Sequence, residues 1–229
     1  MLLRFNLSSI IIQFVVLLFS LSIHEASHAW MADRKGDSTA RNLGRVTLNP
    51  IAHMDLIGTV LFPILQFFTN LPLIGWAKPV PVNSARLKNP VRDQVFISLA
   101  GPGANLIAGG VSFVILAGMK MFSQEAEGFI INVIGSMNIP GQRSVLAPIV
   151  GILFFAFIIN CALALFNLIP IPPLDGHWIL YEMLGSNAAK ILERASPFGF
   201  LILYALMFMG VFSILFIPIK WVLNLLLEL

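Results

Sequence analysis

Charge is what this sequence lacks most. Charged side chains make up 11% of its 229 residues, where a water-soluble domain carries roughly 25%. With 58% of the residues hydrophobic, too little polar surface remains to face water on all sides. That excludes an ordinary soluble protein and makes lipid the solvent for much of the chain. Cysteine is nearly missing as well: Cys161 stands alone in an apolar run, which excludes a disulfide framework and a thiolate metal cluster and leaves core packing as its role. A strong basic excess is absent, the net charge being +3. In a membrane protein so small an excess reads as an orientation signal before it reads as nucleic-acid binding. No internal repeat and no low-complexity tract interrupts the chain. No cleavable signal peptide is evident, since the first apolar run has few positive flanks and itself carries chemically active side chains.

What is there in quantity is long apolar runs. A bilayer crossing needs about 20 mostly apolar residues, and four stretches qualify, near 8–30, 95–119, 149–169 and 198–217. A fifth, 56–76, is interrupted by Pro63, Gln66, Asn70 and Pro72, so it is expected to be kinked or re-entrant. The run Gly44 to Pro50 reads as a short strand closed by Asn-Pro. Lys78 to Asn83, with Pro79 and Pro81, suits an edge strand that accepts an unwound substrate, or a solvated connector. The expected fold is an all-α polytopic membrane protein with about four full transmembrane helices. A re-entrant or short membrane segment and short β-strands are expected at the active-site side. Residues 1–229 are expected to form a single membrane-embedded domain.

The first apolar run contains His24-Glu25-Ala26-Ser27-His28. Histidines four apart share one helical face, so both imidazoles can reach one ion, and Glu25 lies beside it, able to take a proton from water. Ionisable groups inside a span cost about 2.5–3.5 kcal/mol each on insertion scales and are functional candidates by default. A catalytic zinc site has three protein ligands and an open position. Donors for the third place are Asp33, Asp37, His53, Asp55, Asp93, Asp175 and His177. Asp175 ranks first because it follows the third strong span after Pro170, Pro172 and Pro173, and irregular backbone at membrane depth persists only where it is buried or lines a cavity. Gly176 then lets the chain turn.

The pair of motifs, His-Glu-Ala-Ser-His in one span and Asn167-Leu-Ile-Pro-Ile-Pro-Pro-Leu-Asp175-Gly176 after another, resembles the site-2 protease family of intramembrane metalloproteases. The stretch Ala100-Gly101-Pro102-Gly103-Ala104-Asn105 is similar to that family's glycine-rich central span. The likeness covers most of residues 8–180. It implies one zinc ion per chain held by His24, His28 and Asp175, Glu25 as general base, and Asn167 holding the substrate backbone. The implied activity is hydrolysis of peptide bonds in a transmembrane-helix substrate. The chain departs from larger members in having no room for PDZ or CBS domains.

Other residues have plainer roles. Asn160, seven residues before Asn167, is expected to make structural hydrogen bonds. Ala100, Ala104 and Ala108 give small-xxx-small spacing that packs this span closely on the first. His53 is a candidate for polarising the scissile carbonyl, or equally an interfacial cap; His177 suits a supporting or solvent-facing place. Because His24 and Asp175 both lie at C-terminal ends of spans, those spans must run parallel to share an ion. An even number of crossings then separates their ends, so 56–76 should not cross fully. Ten Lys and Arg fall in loops 31–55, 77–94 and 176–197 and four elsewhere (Arg4, Lys120, Arg143, Lys220), which places the site side in the cytoplasm of a cell-membrane protein. The alternatives are a catalytically inactive helix-binding protein of the same fold, which would tolerate Glu25→Gln, and a metal transporter, which would need more polar residues along several spans.

Overall fold

The structure, a computed structural model, describes residues 7–69, 75–139, 144–184 and 196–229, apart from the side chains of residues 67 and 68. Arg4, Asn70, Pro72, Arg143, Lys190 and Arg194 therefore lie outside the described residues or within the gaps between them. Among the described residues the secondary structure is all helical. The elements are α1 (Leu7–Arg34), the short α2 (Thr39–Asn42), α3 (Phe62–Thr69), α4 (Pro90–Phe122), α5 (Gln124–Ser136) and α6 (Leu146–Asn167). They continue with α7, helical over 177–184, then α8 (Gly199–Phe208) and α9 (Phe216–Glu228). Short 3-10 turns at Pro50–Ala52, Ser84–Arg86 and Val211–Leu215 and a π-helical turn at Leu56–Leu61 join them.

Among the described residues, four stretches are long and apolar enough to cross a bilayer: Leu7–Arg34, Pro90–Phe122, Leu146–Asn167 and Val211–Glu228. The first three match the sequence expectation. The fourth is displaced. The apolar run 198–217 is not one span but is cut at Gly210, whose φ of +73° no branched or bulky residue adopts comfortably. Helix α8 ends at Phe208, just before it, and the stretch long and apolar enough to cross is the following 3-10 turn with α9. Continuous hydropathy concealed the break because both sides of it are equally apolar.

Helix α4 packs between α1 and α6 and runs antiparallel to both. Its early residues meet the end of α1, with Ile97 and Asn105 touching His28 and His24. Its middle meets α6 in the opposite sense, Gly109 against Cys161 and Phe113 against Phe157. Hence α1 and α6 run parallel. The packed apolar core lies at the far end of this bundle, where Leu116, Ile130, Val133, Phe154, Ile219 and Leu226 are all buried. There the buried Lys120 ammonium donates to the carbonyls of Leu226 and Leu227 at 3.0 and 2.6 Å. A cation thus caps the C-terminal end of α9, where free carbonyls and the helix dipole favour it.

The expected β-strands do not form among the described residues. Residues 44–49 make turns into the Pro50 3-10 helix, with Asn49 Oδ1 accepting from the Ile51 N–H at 3.1 Å. Residues 75–83 form neither helix nor ladder; Pro79 and Pro81 have no N–H to give one. Side chains and single backbone bonds hold this strap instead. The Thr59 hydroxyl donates to Trp76 O at 2.8 Å, Lys78 N donates to His53 O at 2.8 Å, and Asn83 N donates to Asp37 Oδ2 at 2.6 Å. Arg45 also donates to the Lys78 carbonyl. The two ends of the 56–76 segment are therefore side by side.

Candidate metal centre

Helix α1 carries His24 and His28 one turn apart, both buried. Each uses Nδ1 on helix α4: His24 bonds Asn105 Oδ1 at 2.6 Å, and His28 bonds the Ile97 carbonyl at 2.6 Å. A carbonyl only accepts, so Nδ1 of His28 carries a proton, and in the neutral ring Nε2 presents a lone pair. The two Nε2 atoms lie 3.1 Å apart, and Asp175 Oδ2 stands 3.1 Å from one and 3.3 Å from the other. That carboxylate oxygen is buried and receives no hydrogen bond, which follows if both facing nitrogens are acceptors. Three potential ligand atoms converging this closely suit a cation, and two imidazoles with one carboxylate suit zinc.

The backbone makes room for this cluster. A Cβ at Gly101 would stand 2.4 Å from His28 Nε2 and 2.7 Å from His24 Cε1, so α4 reaches the imidazoles only because position 101 has no side chain. On the other wall, the loop after α6 folds back so that Gly176 N donates to Asn167 O at 2.7 Å. A Cβ at Gly176 would lie 2.3 Å from the Leu168 carbonyl oxygen. The sequence reading explained Gly176 by turn freedom; the structure explains it by closeness, which brings Asp175 over the end of α1.

The other donors considered from sequence are engaged elsewhere. Asp33 pairs with Arg41 at 2.8 Å and Asp93 with Lys35 at 3.2 Å. Asp55 accepts from the N–H groups of Ile57 and Gly58 at 3.0 and 2.8 Å. Asp37 is fully buried. Burial pulls its carboxyl up, but bonds from the Thr39 hydroxyl and from the N–H groups of Asn83 and Thr39, with Arg86 nearby, outweigh burial and hold it below its usual range. His53 is buried and does not line the cavity. Its Nε2 donates to Thr47 O at 2.8 Å, and its Nδ1 faces Arg45. Burial keeps it neutral, and Arg45 adds to that push against the Thr47 bond and the Glu25 charge.

A cavity of about 740 Å³ opens over the cluster. His24, Glu25, His28, Asn167, Asp175 and His177 line it, with Ala77, Pro79, Val80 and Val82 of the strap along one side. Mostly apolar and aromatic residues, including Phe62, Trp76, Phe166 and Phe200, form the rest of its wall, together with Gln94 and Ser98. The charge of Glu25 acts on both Arg45 and His53. Asn167 donates to Leu163 O at 2.9 Å while facing the cavity. Sequence reasoning placed Asn105 only in a packing stretch; an asparagine one helical turn past Gly101 was the available signal for its bond to His24.

No solved structure matches this chain significantly. The chain is similar to "Putative zinc metalloprotease YwhC" of Bacillus subtilis, 34% identical over 194 residues that cover 84% of this chain and 78% of the relative. It is also similar to "Putative zinc metalloprotease Rip2" of Mycolicibacterium smegmatis, 31% identical over 83% of this chain and 64% of that protein. A family model described as Peptidase family M50 matches residues 12–210, a stretch that begins early in α1 and ends at the Gly210 break. The match takes in both walls of the metal centre, and the chain belongs to Peptidase family M50, the zinc metalloproteases of the site-2 type.

Proposed function

We propose that this membrane metalloprotease is an intramembrane endopeptidase that cuts transmembrane-helix substrates, with one zinc ion held by His24, His28 and Asp175. The observation that carries the reading is the convergence of two imidazole nitrogens and a buried carboxylate oxygen within 4.8 Å of one another, beneath a cavity with mainly apolar walls. Zinc, when bound, supplies Lewis acidity that polarises a peptide carbonyl and acidifies water. Glu25 accepts the proton of the attacking water and delivers it to the leaving amine. A helical carbonyl is shielded by its own hydrogen bond, so the substrate must open first. The strap at 75–83 supports that step. Its backbone is held by Asp37, Arg45, His53 and Thr59 rather than by a ladder, and Val80 and Val82 keep N–H groups on a segment that lines the cavity. Asn167, at the end of α6, is placed to hold the opened backbone.

The side-by-side ends of 56–76, and the parallel course of α1 and α6, support a re-entrant excursion with the site in the cytoplasmic half of the cell membrane. The catalytic unit is one membrane-embedded domain. The test is cleavage of a panel of membrane-helix substrates by purified protein, with and without chelator, comparing wild type, Glu25→Gln and Asp175→Ala. Both variants should be inactive, and zinc should restore chelated wild type. Equal cleavage by Glu25→Gln rejects the mechanism and leaves a helix-binding role.

A further inference from the structure

Behind the metal centre, one polar chain crosses three membrane helices, and nothing in the reaction uses it directly. Asn105 on α4 and Asn160 on α6 are both buried, 0% and 3% exposed. Asn160 Nδ2 donates to the Ala156 carbonyl at 2.8 Å and to the Ser20 hydroxyl at 2.9 Å. Its Oδ1 accepts from Asn105 Nδ2 at 2.6 Å, and the same Nδ2 donates to the Ser20 carbonyl at 3.1 Å. Asn105 Oδ1 then faces His24 Nδ1 at 2.6 Å.

The direction of every bond in this chain is forced. Backbone carbonyls only accept, so Ala156 O fixes which end of the Asn160 amide is nitrogen, and Ser20 O fixes the same for Asn105. With both amides fixed, the group facing His24 is an oxygen, and His24 must carry its proton on Nδ1. Its Nε2 is left with a lone pair aimed at Asp175 and His28. A neutral amide does here what a carboxylate does beside many metal-bound histidines, without placing another charge in lipid.

We infer that Asn105, backed by Asn160, is a positioning residue that sets the tautomer and ring angle of His24, and so tunes the metal affinity of the centre. This rests on the metal-centre reading above. Losing such a partner typically costs 10–100-fold in metal affinity. Asn160 acts through Asn105, so its effect should vanish once Asn105 is gone.

The experiment is zinc titration of purified protein against a chromophoric chelator for wild type, Asn105→Leu, Asn160→Leu and the double variant. His24→Ala serves as the reference and Ser112→Ala, farther along α4, as the control. Histidine nitrogen NMR accompanies it, and with four histidines in the chain the spectrum is assignable. Asn105→Leu should bind zinc about 10–100-fold more weakly, with His24 populating both tautomers. Asn160→Leu should show a smaller loss that adds nothing in the Asn105→Leu background. Asn105→Asp, which keeps an acceptor, should retain the Nδ1-protonated form and serves if Asn105→Leu does not fold. Zinc binding by Asn105→Leu within about twofold of wild type, or the same penalty from Asn160→Leu in both backgrounds, overturns the inference. Equal binding by wild type and His24→Ala overturns the metal centre itself, and this role with it.

Discussion

Adding one methyl group at position 101 should disable the metal centre while leaving the fold largely intact. A Cβ there would sit 2.4 Å from His28 Nε2, 2.6 Å from His28 Cε1 and 2.7 Å from His24 Cε1, about 1 Å short of ordinary contact. The rings cannot swing aside freely, because each is bonded through Nδ1 at 2.6 Å to the same helix that carries the new methyl. If α4 instead retreats by about 1 Å, those bonds lengthen to roughly 3.6 Å, beyond hydrogen-bonding range. Either way one restraint is lost. Overpacking of this kind costs about 1–3 kcal/mol of stability. Misdirected ligands should lower zinc affinity about 10–100-fold, equivalent to about 1.4–2.8 kcal/mol of binding. The assay is zinc titration with Gly101→Ala, with thermal unfolding of the metal-free protein alongside. Gly110→Ala, where an added Cβ meets nothing within 4 Å, is the control and should be neutral or stabilising by up to about 1 kcal/mol. Gly101→Ala that binds zinc and cleaves substrate like wild type would refute the close approach of α4 to the imidazoles.

Further expectations concern the base, the strap and the last helix. Glu25→Gln should lower peptide cleavage by about 10²–10⁴-fold while leaving zinc content unchanged, measured by substrate cleavage and metal analysis on one preparation. Asp37 has its carboxyl held below its ordinary value of 3.8. Its contribution is therefore complete above that pH and lost as pH falls through the lower folded value. Unfolding midpoints of wild type and Asp37→Asn should differ at neutral pH, by about 1–3 kcal/mol in stability, and converge in strong acid; a gap that widens on acidification would contradict the sign. Lys120→Met should free the carbonyls of Leu226 and Leu227 and speed amide exchange over 219–228 before any change at the metal centre.

The grouping of His24, His28 and Asp175 was legible because its chemistry is local. His24 and His28 declare a shared face by spacing alone, and Asp175 stands out because prolines make the preceding segment unfit to continue a helix in lipid. The parallel course of α1 and α6 was legible too, since two C-terminal ends must meet at one site. The Gly210 break was not, because hydropathy averages over a glycine and carries no torsion angle. The strands at 44–50 and 78–83 were misjudged for a related reason. Extended backbone is readable from prolines and β-branched residues, but a ladder needs a partner, and here Asp37, His53, Arg45 and Thr59 supply the bonds a neighbouring strand would have made. For His53 the sequence left a reactive and a capping role equally open, and its bonds to Thr47 and Lys78 add that it is tied into the strap's support.

The bonds made around the metal centre explain why the remaining polar atoms are chemically available. In lipid an unpaired polar atom is costly, so such atoms are paired off within the protein. Ser22 and Ser27 donate back to the Leu18 and Ile23 carbonyls at 2.7 Å each. Ser20, Asn105 and Asn160 satisfy one another, and both histidines spend Nδ1 on α4. After all of these pairings, two imidazole nitrogens and Asp175 Oδ2 still face each other. They come from opposite ends of the core sequence, and they meet only because α1 and α6 are parallel and Gly101 and Gly176 remove the side chains that would separate them. A cation would bind all three at once, and its removal leaves them only one another as partners. The metal-free protein should therefore unfold at lower temperature than the zinc-loaded form, by an amount that disappears in Asp175→Ala, where the third donor is gone.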